Sequence, residues 1–370
     1  MAELVDALDS KSSGSNTVWV RFPLRAHGKT KKVAKLSFTA TPGTQKEGIF
    51  FDLIISIGIV ATLLPASILI YSSIVRTKSW EHAHPRLSRS IAGILLFGTC
   101  ILLYGSFVEP KLLITTTQTI DIDGIEDPIR AVLVADFQAG TYNGTAHISR
   151  VVDRILSLSP DIILIAGDQV DNVTADEDET IYLEPLRRLA EAGIPAYAVN
   201  GNHEYGVGGG KGITDPRYRV ADVSARVEEV MTELGIVYLT NDLVTTTIRG
   251  QKLALFGGDS YWAGKLSFDS LEAKGDDIPT IAIIHNPVAS WLAGKEDVDL
   301  ILAGHTHGGQ IRFPFIGPLG RVDDIVPAVW YQGLHDVDTD TQLFVTSGTG
   351  ETGTRARLFN PPEVVLMTLQ

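Results

Sequence analysis

LILAGHTHGGQI, residues 300–311, is a short apolar run that stops at a glycine and turns straight into two histidines one residue apart. An aliphatic run of this length, bounded by turn signals, reads as a β-strand with a polar cluster at its carboxyl end. The pattern recurs four times upstream. Asp136 follows AVLVA (131–135), Gly167-Asp168 follows IILIA (162–166), Gly201-Asn202-His203-Glu204 follows AYAVN (196–200), and His285 follows TIAII (280–284). In layered α/β folds the carboxyl ends of strands open onto one crevice, so clusters far apart in sequence are expected to meet there.

Working outward, strands are expected over 131–135, 162–166, 196–199, 253–256, 280–284, 300–303, 342–346 and 364–367. Helices are expected near 147–158, 181–192, 220–234 and 287–293. This alternation places residues 110–370 in an α/β layered domain. At 370 residues the chain has room for such a domain and an appendage. A formal charge of −13, with no Lys/Arg-dense tract after residue 90, argues against a nucleic-acid groove. The single cysteine, Cys100, excludes a disulfide within the chain.

The appendage reads as a membrane anchor, residues 49–109. Leu53 to Val75 and Ser90 to Val108 are uncharged runs of 23 and 19 residues. As helices they reach about 34 and 28 Å, against a hydrocarbon core of about 30 Å. A pair of buried helices in a soluble domain is the alternative, and neither run has the polar face that would favour it. Arg76, Lys78, Arg86 and Arg89 against Glu81 assign the connecting loop to the cytoplasm, which puts the α/β domain outside a cell membrane crossed twice. Lys29, Lys31, Lys32, Lys35 and Lys46 pull the other way. Residues 1–48 are expected to be a non-native or disordered extension. Val20-Arg21-Phe22-Pro23, back-translated, looks like a transfer-RNA arm, and a misplaced start would remove several of those lysines.

The polar set is Asp136, Gln138, Asp168, Asn202, His285, His305 and His307: oxygen and imidazole donors without a thiolate, suited to Mn, Fe, Zn or Mg. Taken singly, each has a plain reading. Asp168 with Asp171 could be an acidic turn, Asn202-His203 a solvated turn, and His305 with His307 one face of an edge strand. Five clusters in series make those readings jointly improbable. His147, His335, His82 and His84 read as surface histidines. Arg355 and Arg357 could grip a substrate phosphate with their fork geometry or form a structural salt bridge, and the sequence leaves both open.

These blocks resemble the calcineurin-like metallophosphoesterase family: Asp136-Phe137-Gln138, Gly167-Asp168-Gln169-Val170-Asp171, Gly201-Asn202-His203-Glu204, His285 and Gly304-His305-Thr306-His307, in family order. The extension Gly308-Gly309-Gln310-Ile311 and the ending SGTGETGTRARLFNPPEVVLMTL look like its membrane-associated bacterial branch. The resemblance implies a four-layer αββα sandwich of two mixed sheets behind the two spans, and two divalent metals bridged by Asp168. It assigns Asp136, Gln138, Asp168 and His307 to the first ion and Asp168, Asn202, His285 and His305 to the second. His203 would protonate the leaving oxygen, oriented by Asp171, while a hydroxide shared by the ions attacks a phosphate ester. One position departs from the family: Gln138 stands where histidine is usual, and its carboxamide oxygen is a weaker, harder ligand. The branch implies a lipid-linked or nucleotide-linked substrate such as the lipid A precursor UDP-2,3-diacylglucosamine. A general phosphodiesterase or phosphomonoesterase of the cell envelope, and a non-catalytic metal- or phosphate-binding module, remain as alternatives. No protein partner can be inferred.

Overall fold

The computed structural model describes residues 46–172, 178–275 and 278–370. Residues 1–45 of the expected N-terminal extension, with its lysines up to Lys35, lie outside the described residues, and residues 46–48, the rest of it, already belong to the first helix.

Two long helices come first, Lys46–Val75 and Pro85–Leu103, the second prolonged by a π turn (Tyr104–Val108) and a 3-10 turn (Glu109–Lys111). They run antiparallel: Gly58 faces Leu102, Thr62 faces Thr99 with hydroxyls 2.7 Å apart, and Ser73 takes a hydrogen bond from Arg89. Small residues at such crossings let apolar helices approach closely. Only 6% of the first helix's most apolar stretch and 22% of the second's are buried, whereas a core helix of a soluble domain would be mostly covered. Leu53, Ile57, Val60, Leu64, Ile94 and Phe97 all point outward.

The strands follow: β1 (Ile114–Ile120), β2 (Ile129–Val134), β3 (Ile162–Ile165), β4 (Ala196–Val199), β5 (Val237–Leu239), β6 (Asp242–Ile248), β7 (Gln251–Gly258), β8 (Thr280–Ile284), β9 (Leu300–Ala303), β10 (Arg312–Phe313), β11 (Gly317–Pro318), β12 (Gly333–Asp336), β13 (Gln342–Val345) and β14 (Glu363–Leu369). One six-stranded sheet has the order β1-β14-β2-β3-β4-β5, the other β12-β13-β9-β8-β7-β6, and β10 and β11 form a separate hairpin. Both sheets are mixed. β14 is antiparallel to β2 in the first, and the outer strands β12 and β6 are antiparallel to their neighbours in the second.

The period of two along each strand explains the layering. Ala131, Leu133, Leu164, Val199, Leu255, Ile283 and Leu302 face a core shared by the sheets. The intervening Val132, Val134, Ile163 and Ile165 face the helix Thr145–Ser157 and its neighbours. Ala282, Ile284, Ile301 and Val345 face a second outer layer containing Ala289 and Ala293. The result is the four-layer αββα sandwich.

Every expected strand is present. β1, β5, β6, β10, β11 and β12 were not anticipated; they are short or only half-buried, so they lack a dense apolar run. The expected helix 181–192 is instead a 3-10 segment, Glu179–Leu186, leading into a helix Arg187–Glu191, because Pro185 cannot donate the backbone bond an α-helix needs there. His147 corrects another expectation. It is buried, on the inner face of Thr145–Ser157 beside Ile148 and Val151.

Candidate metal centre

Five of the seven expected ligands adopt positive φ in the turns that follow their strands: Asp136 (φ 52°), Gln138 (46°), Asp168 (52°), His305 (69°) and His307 (49°). Each costs about 1–2 kcal/mol in a residue bearing a Cβ, and strain of this kind gathers at functional sites. It turns the side chains back over the crevice. Two glycines make the crowding possible. A Cβ on Gly201 would fall 2.1 Å from Asp168 Oδ1, and one on Gly167 (φ 87°) would fall 2.7 Å from the His285 ring.

Asp168 lies at the centre. Its Oδ1 accepts the His203 N–H (2.9 Å), and its Oδ2 accepts from Gln138 Nε2 (3.0 Å) and lies 3.1 Å from His285 Nε2. Asp136 accepts the His305 N–H (3.1 Å), with His307 Nε2 3.6 Å and His285 Nε2 4.0 Å away. Among the described residues, Asp136, Asp168 and His307 offer ligand atoms all within 4.8 Å of one another. Nδ1 of His285 bonds the Ala166 carbonyl (2.7 Å) and Nδ1 of His307 the Gly350 carbonyl (3.2 Å). Each ring therefore presents Nε2 to the crevice, the orientation that outer-shell carbonyls give metal-binding histidines. Asn202 is held by Val207 and Asn286, and the His305 ring packs edge-on to Trp262, centroids 4.2 Å apart.

Gln138 Oε1 and His305 Nε2 are buried without a hydrogen-bond partner. Such orphaned acceptors are costly unless a cation or water takes them. Together with an oxygen and imidazole donor set, they fit hard to borderline divalent ions.

The charges point the same way. Burial pushes Asp136 up to about 7, with Asp168 adding to it against His285. Burial also opposes charge on Asp168, but His285 and His203 hold it well below the usual carboxylate range. His285 rises to about 9, the Asp168 and Asp136 carboxylates outweighing its burial. His305 is pushed well down by burial and then by His285, and His307 falls to about 3 through burial and Arg357, so both rings are neutral near pH 7. Neutral imidazole is the metal-binding form. Divalent cations at these atoms would keep both carboxylates ionised and take the place of the His285 proton.

Six of the seven expected ligands, Asp136, Gln138, Asp168, His285, His305 and His307, thus converge, while the Asn202 side chain is engaged by Val207 and Asn286; His203 joins the six with Nε2 3.9 Å from Asp168 Oδ2. Two expectations need correction. The His203 Nδ1 partner is the Asp171 main-chain oxygen, at 2.5 Å, whereas the Asp171 carboxylate is 3.8 Å away. Arg357 does not reach a substrate. It is fully buried beneath the centre, donating to the carbonyls of Ser347 (2.8 Å), Gly350 (2.6 Å) and Asn360 (3.1 Å), 3.6 Å from Glu351. Arg355 lies where the domain meets the long N-terminal helix, paired with Asp52 and stacked on Tyr142, centroid 4.3 Å.

Glu204 carries a role the sequence did not reveal. Its buried carboxylate accepts N–H bonds from Gln169 and Gly201 (2.7 Å each), Asp168 (3.2 Å) and Val170 (3.3 Å), tying two strand-end turns together. Its adjacency to Asn202-His203 was the available signal.

Comparison with known proteins agrees with this arrangement. Residues 129–309 match the calcineurin-like phosphoesterase family. The uncharacterized metallophosphoesterase YkuE of Bacillus subtilis is 27% identical over 272 residues, covering 72% of this chain and 89% of that protein. Phosphodiesterase YaeI of Escherichia coli is 28% identical, covering 65% and 82%. A bovine transmembrane protein with metallophosphoesterase domain is 29% identical, covering 65% of this chain and 53% of its own length.

Proposed function

Because the chain carries a calcineurin-like metallophosphoesterase domain, a phosphoester-hydrolysing unit that uses two divalent metals, we propose that it is a membrane-anchored phosphohydrolase whose substrate is a phosphate ester at the bilayer surface. One observation carries this reading: Asp136, Asp168 and His307 share one small buried space, with the orphaned Gln138 Oε1 and His305 Nε2 in the same ligand set. Asp136, Gln138, Asp168 and His307 would hold one ion, and Asp168, Asn202, His285 and His305 the other. When bound, the ions supply charge neutralisation for the phosphoryl oxygens and make water nucleophilic at neutral pH.

The remaining work falls to the chain itself. Asp171 O fixes His203 through Nδ1, leaving Nε2 at the crevice. Burial resists a charge on His203, but Asp168 and Asp171 raise its pKa, so the ring carries a proton it can give to the departing oxygen. Glu204 and the left-handed turns hold Asp168 in place between the two ligand sets.

The basic loop between the spans supports an extracytoplasmic domain. A phosphodiester is favoured over a monoester by the likeness to YaeI, a protein named as a phosphodiesterase. Lipid-linked esters such as UDP-2,3-diacylglucosamine belong to the proposed class, although an outward-facing site favours envelope lipids over a cytoplasmic nucleotide sugar. The test is hydrolysis of a chromogenic diester and monoester by the full chain in detergent, stripped of metal and resupplied with Mn, Mg, Zn or Fe. Metal-dependent turnover abolished by Asp168→Asn and lowered by about 10²–10⁴ in His203→Ala is expected. No turnover of either ester with any ion, in protein that binds two ions, would sink the reading.

A further inference from the structure

Five residues past His307 the chain projects a small hairpin with a bare apolar tip. β10 and β11 pair antiparallel, Arg312 opposite Pro318 and Phe313 opposite Gly317, leaving Pro314-Phe315-Ile316 at the turn. Phe315 is 109% exposed and Ile316 75%; Leu319 (60%), Val329 (64%) and Phe359 (55%) continue the apolar surface. Single exposed apolar residues are ordinary, but a contiguous group of large ones marks an interaction surface. A cleft of about 410 Å³ between the hairpin, Val329 and Phe359 is lined mainly by apolar side chains.

The neighbours of this surface identify its occupant. Phe359 packs on Phe313, ring centroids 5.7 Å apart, and Arg312 N–H donates to the Leu358 carbonyl (2.9 Å). The same loop grips both spans where they end: Arg355 pairs with Asp52, Arg357 N–H donates to the Gly105 carbonyl (2.9 Å), and Asn360 N–H donates to Glu109 (2.5 Å). The apolar tip therefore flanks the point at which the anchor leaves the bilayer. It is also tied to the metal centre. Leu319 N–H donates to the Ile311 carbonyl (2.9 Å), and a Cβ on Gly309 would fall 2.2 Å from Pro318, so the hairpin and the His307–Gly309 turn form one packed piece.

We propose that the β10–β11 hairpin dips into the interfacial layer of the same bilayer that holds the two helices. It would seat the metal centre against the lipid surface, and the cleft behind it would admit an acyl chain of a lipid phosphate ester. Interfacial segments bury large apolar side chains at the headgroup boundary in this way. The substrate half of the inference rests on the phosphohydrolase reading; the membrane contact does not.

The test uses the full chain in liposomes. With Cys100→Ser as background, Phe315→Cys carries an environment-sensitive fluorophore, and lipids bearing a nitroxide near the headgroup act as quencher. Lys252→Cys, an exposed site at the amino end of β7 and so at the strand ends opposite the crevice, is the reference. Quenching at 315 several-fold stronger than at 252 is expected. Equal quenching at the two positions overturns the membrane contact, as does a signal at 315 that follows protein density and ignores nitroxide lipid, which would assign the patch to a second copy. In a second arm, Phe315→Asp with Ile316→Asp should lower the ratio of turnover on a bilayer-embedded diester to turnover on a water-soluble diester at least about tenfold. A ratio equal to that of the wild-type chain overturns the substrate half. Quenching at 315 with no turnover of either diester by the wild-type chain would overturn the phosphohydrolase reading and leave the hairpin's contact standing.

Discussion

Replacing Arg357 by methionine separates a buried strut from a substrate contact. The guanidinium is fully buried, its Nη groups donate to the carbonyls of Ser347, Gly348, Gly350 and Asn360, and Glu351, itself 3% exposed, lies 3.6 Å from Nε. Methionine fills a similar volume and donates nothing. Gly350 keeps its bond from His307 Nδ1, but the Ser347 and Asn360 carbonyls lose the Arg357 donors, and Glu351 loses the charge beside it. Removing one partner of a buried ion pair costs about 3–5 kcal/mol. Protonation of Glu351, which burial already pushes upward, limits the loss to that range. For a domain of this size, that corresponds to a melting point lower by roughly 6–20 °C. The assay is thermal unfolding of the full chain in detergent, followed by tryptophan fluorescence, with Arg357→Met/Glu351→Gln beside it. The double variant should recover about half the loss, because the stranded charge is gone. A shift under about 2 °C with a raised KM would refute the reasoning and return Arg357 to the substrate.

Gln138→His should hold metal more tightly against a chelator and shift preference towards Zn, since imidazole is the softer donor; metal content after graded chelation measures it, and an unchanged profile would contradict a ligand at this position. His147 gives a pH prediction: burial first, then Arg150 and Arg357, hold it near 4, below its unfolded value of about 6.5. Between those limits the unfolded chain binds the extra proton, so stability rises with pH there, and acidification from pH 7 to 4 removes up to roughly 3 kcal/mol. His147→Gln should flatten that part of the melting curve, and an unaltered slope would show that other groups control it.

The strands that carry ligands were legible because each is a short, mainly apolar run, buried on both faces, ending at a turn. Their convergence followed from sheet geometry. Strands such as β1, ITTTQTI, and β6, DLVTTTI, were not legible: both sit at sheet edges, half-covered, and threonine-rich composition alone does not separate an edge strand from a loop. Ligand identity was legible from donor chemistry, whereas the residues that position ligands were not. Glu204 and Arg357 act on main-chain groups, and a carboxylate or guanidinium that binds backbone looks in sequence like one that binds solvent. His147 was misread for the same reason, since a polar residue near a helix start gives no sign of which face it occupies.

The placement of β14 bears on how the molecule is made. Glu363–Leu369 follows every other described element in the chain, yet it lies between β1 and β2, paired with both along their length. While the ribosome is still delivering the second sheet, the two helices can already be paired, with β1 and β2 beside them and the slot between them open. The first sheet closes only when the last strand arrives, and the loop that supplies Gly350 and Arg357 to the metal centre closes with it. Such late, long-range pairing is slow and leaves strand edges exposed in the interval. A nascent chain stalled before residue 363 would therefore keep β1 and β2 apart with both edges unpaired, an aggregation-prone state that ends only with the last seven-residue strand.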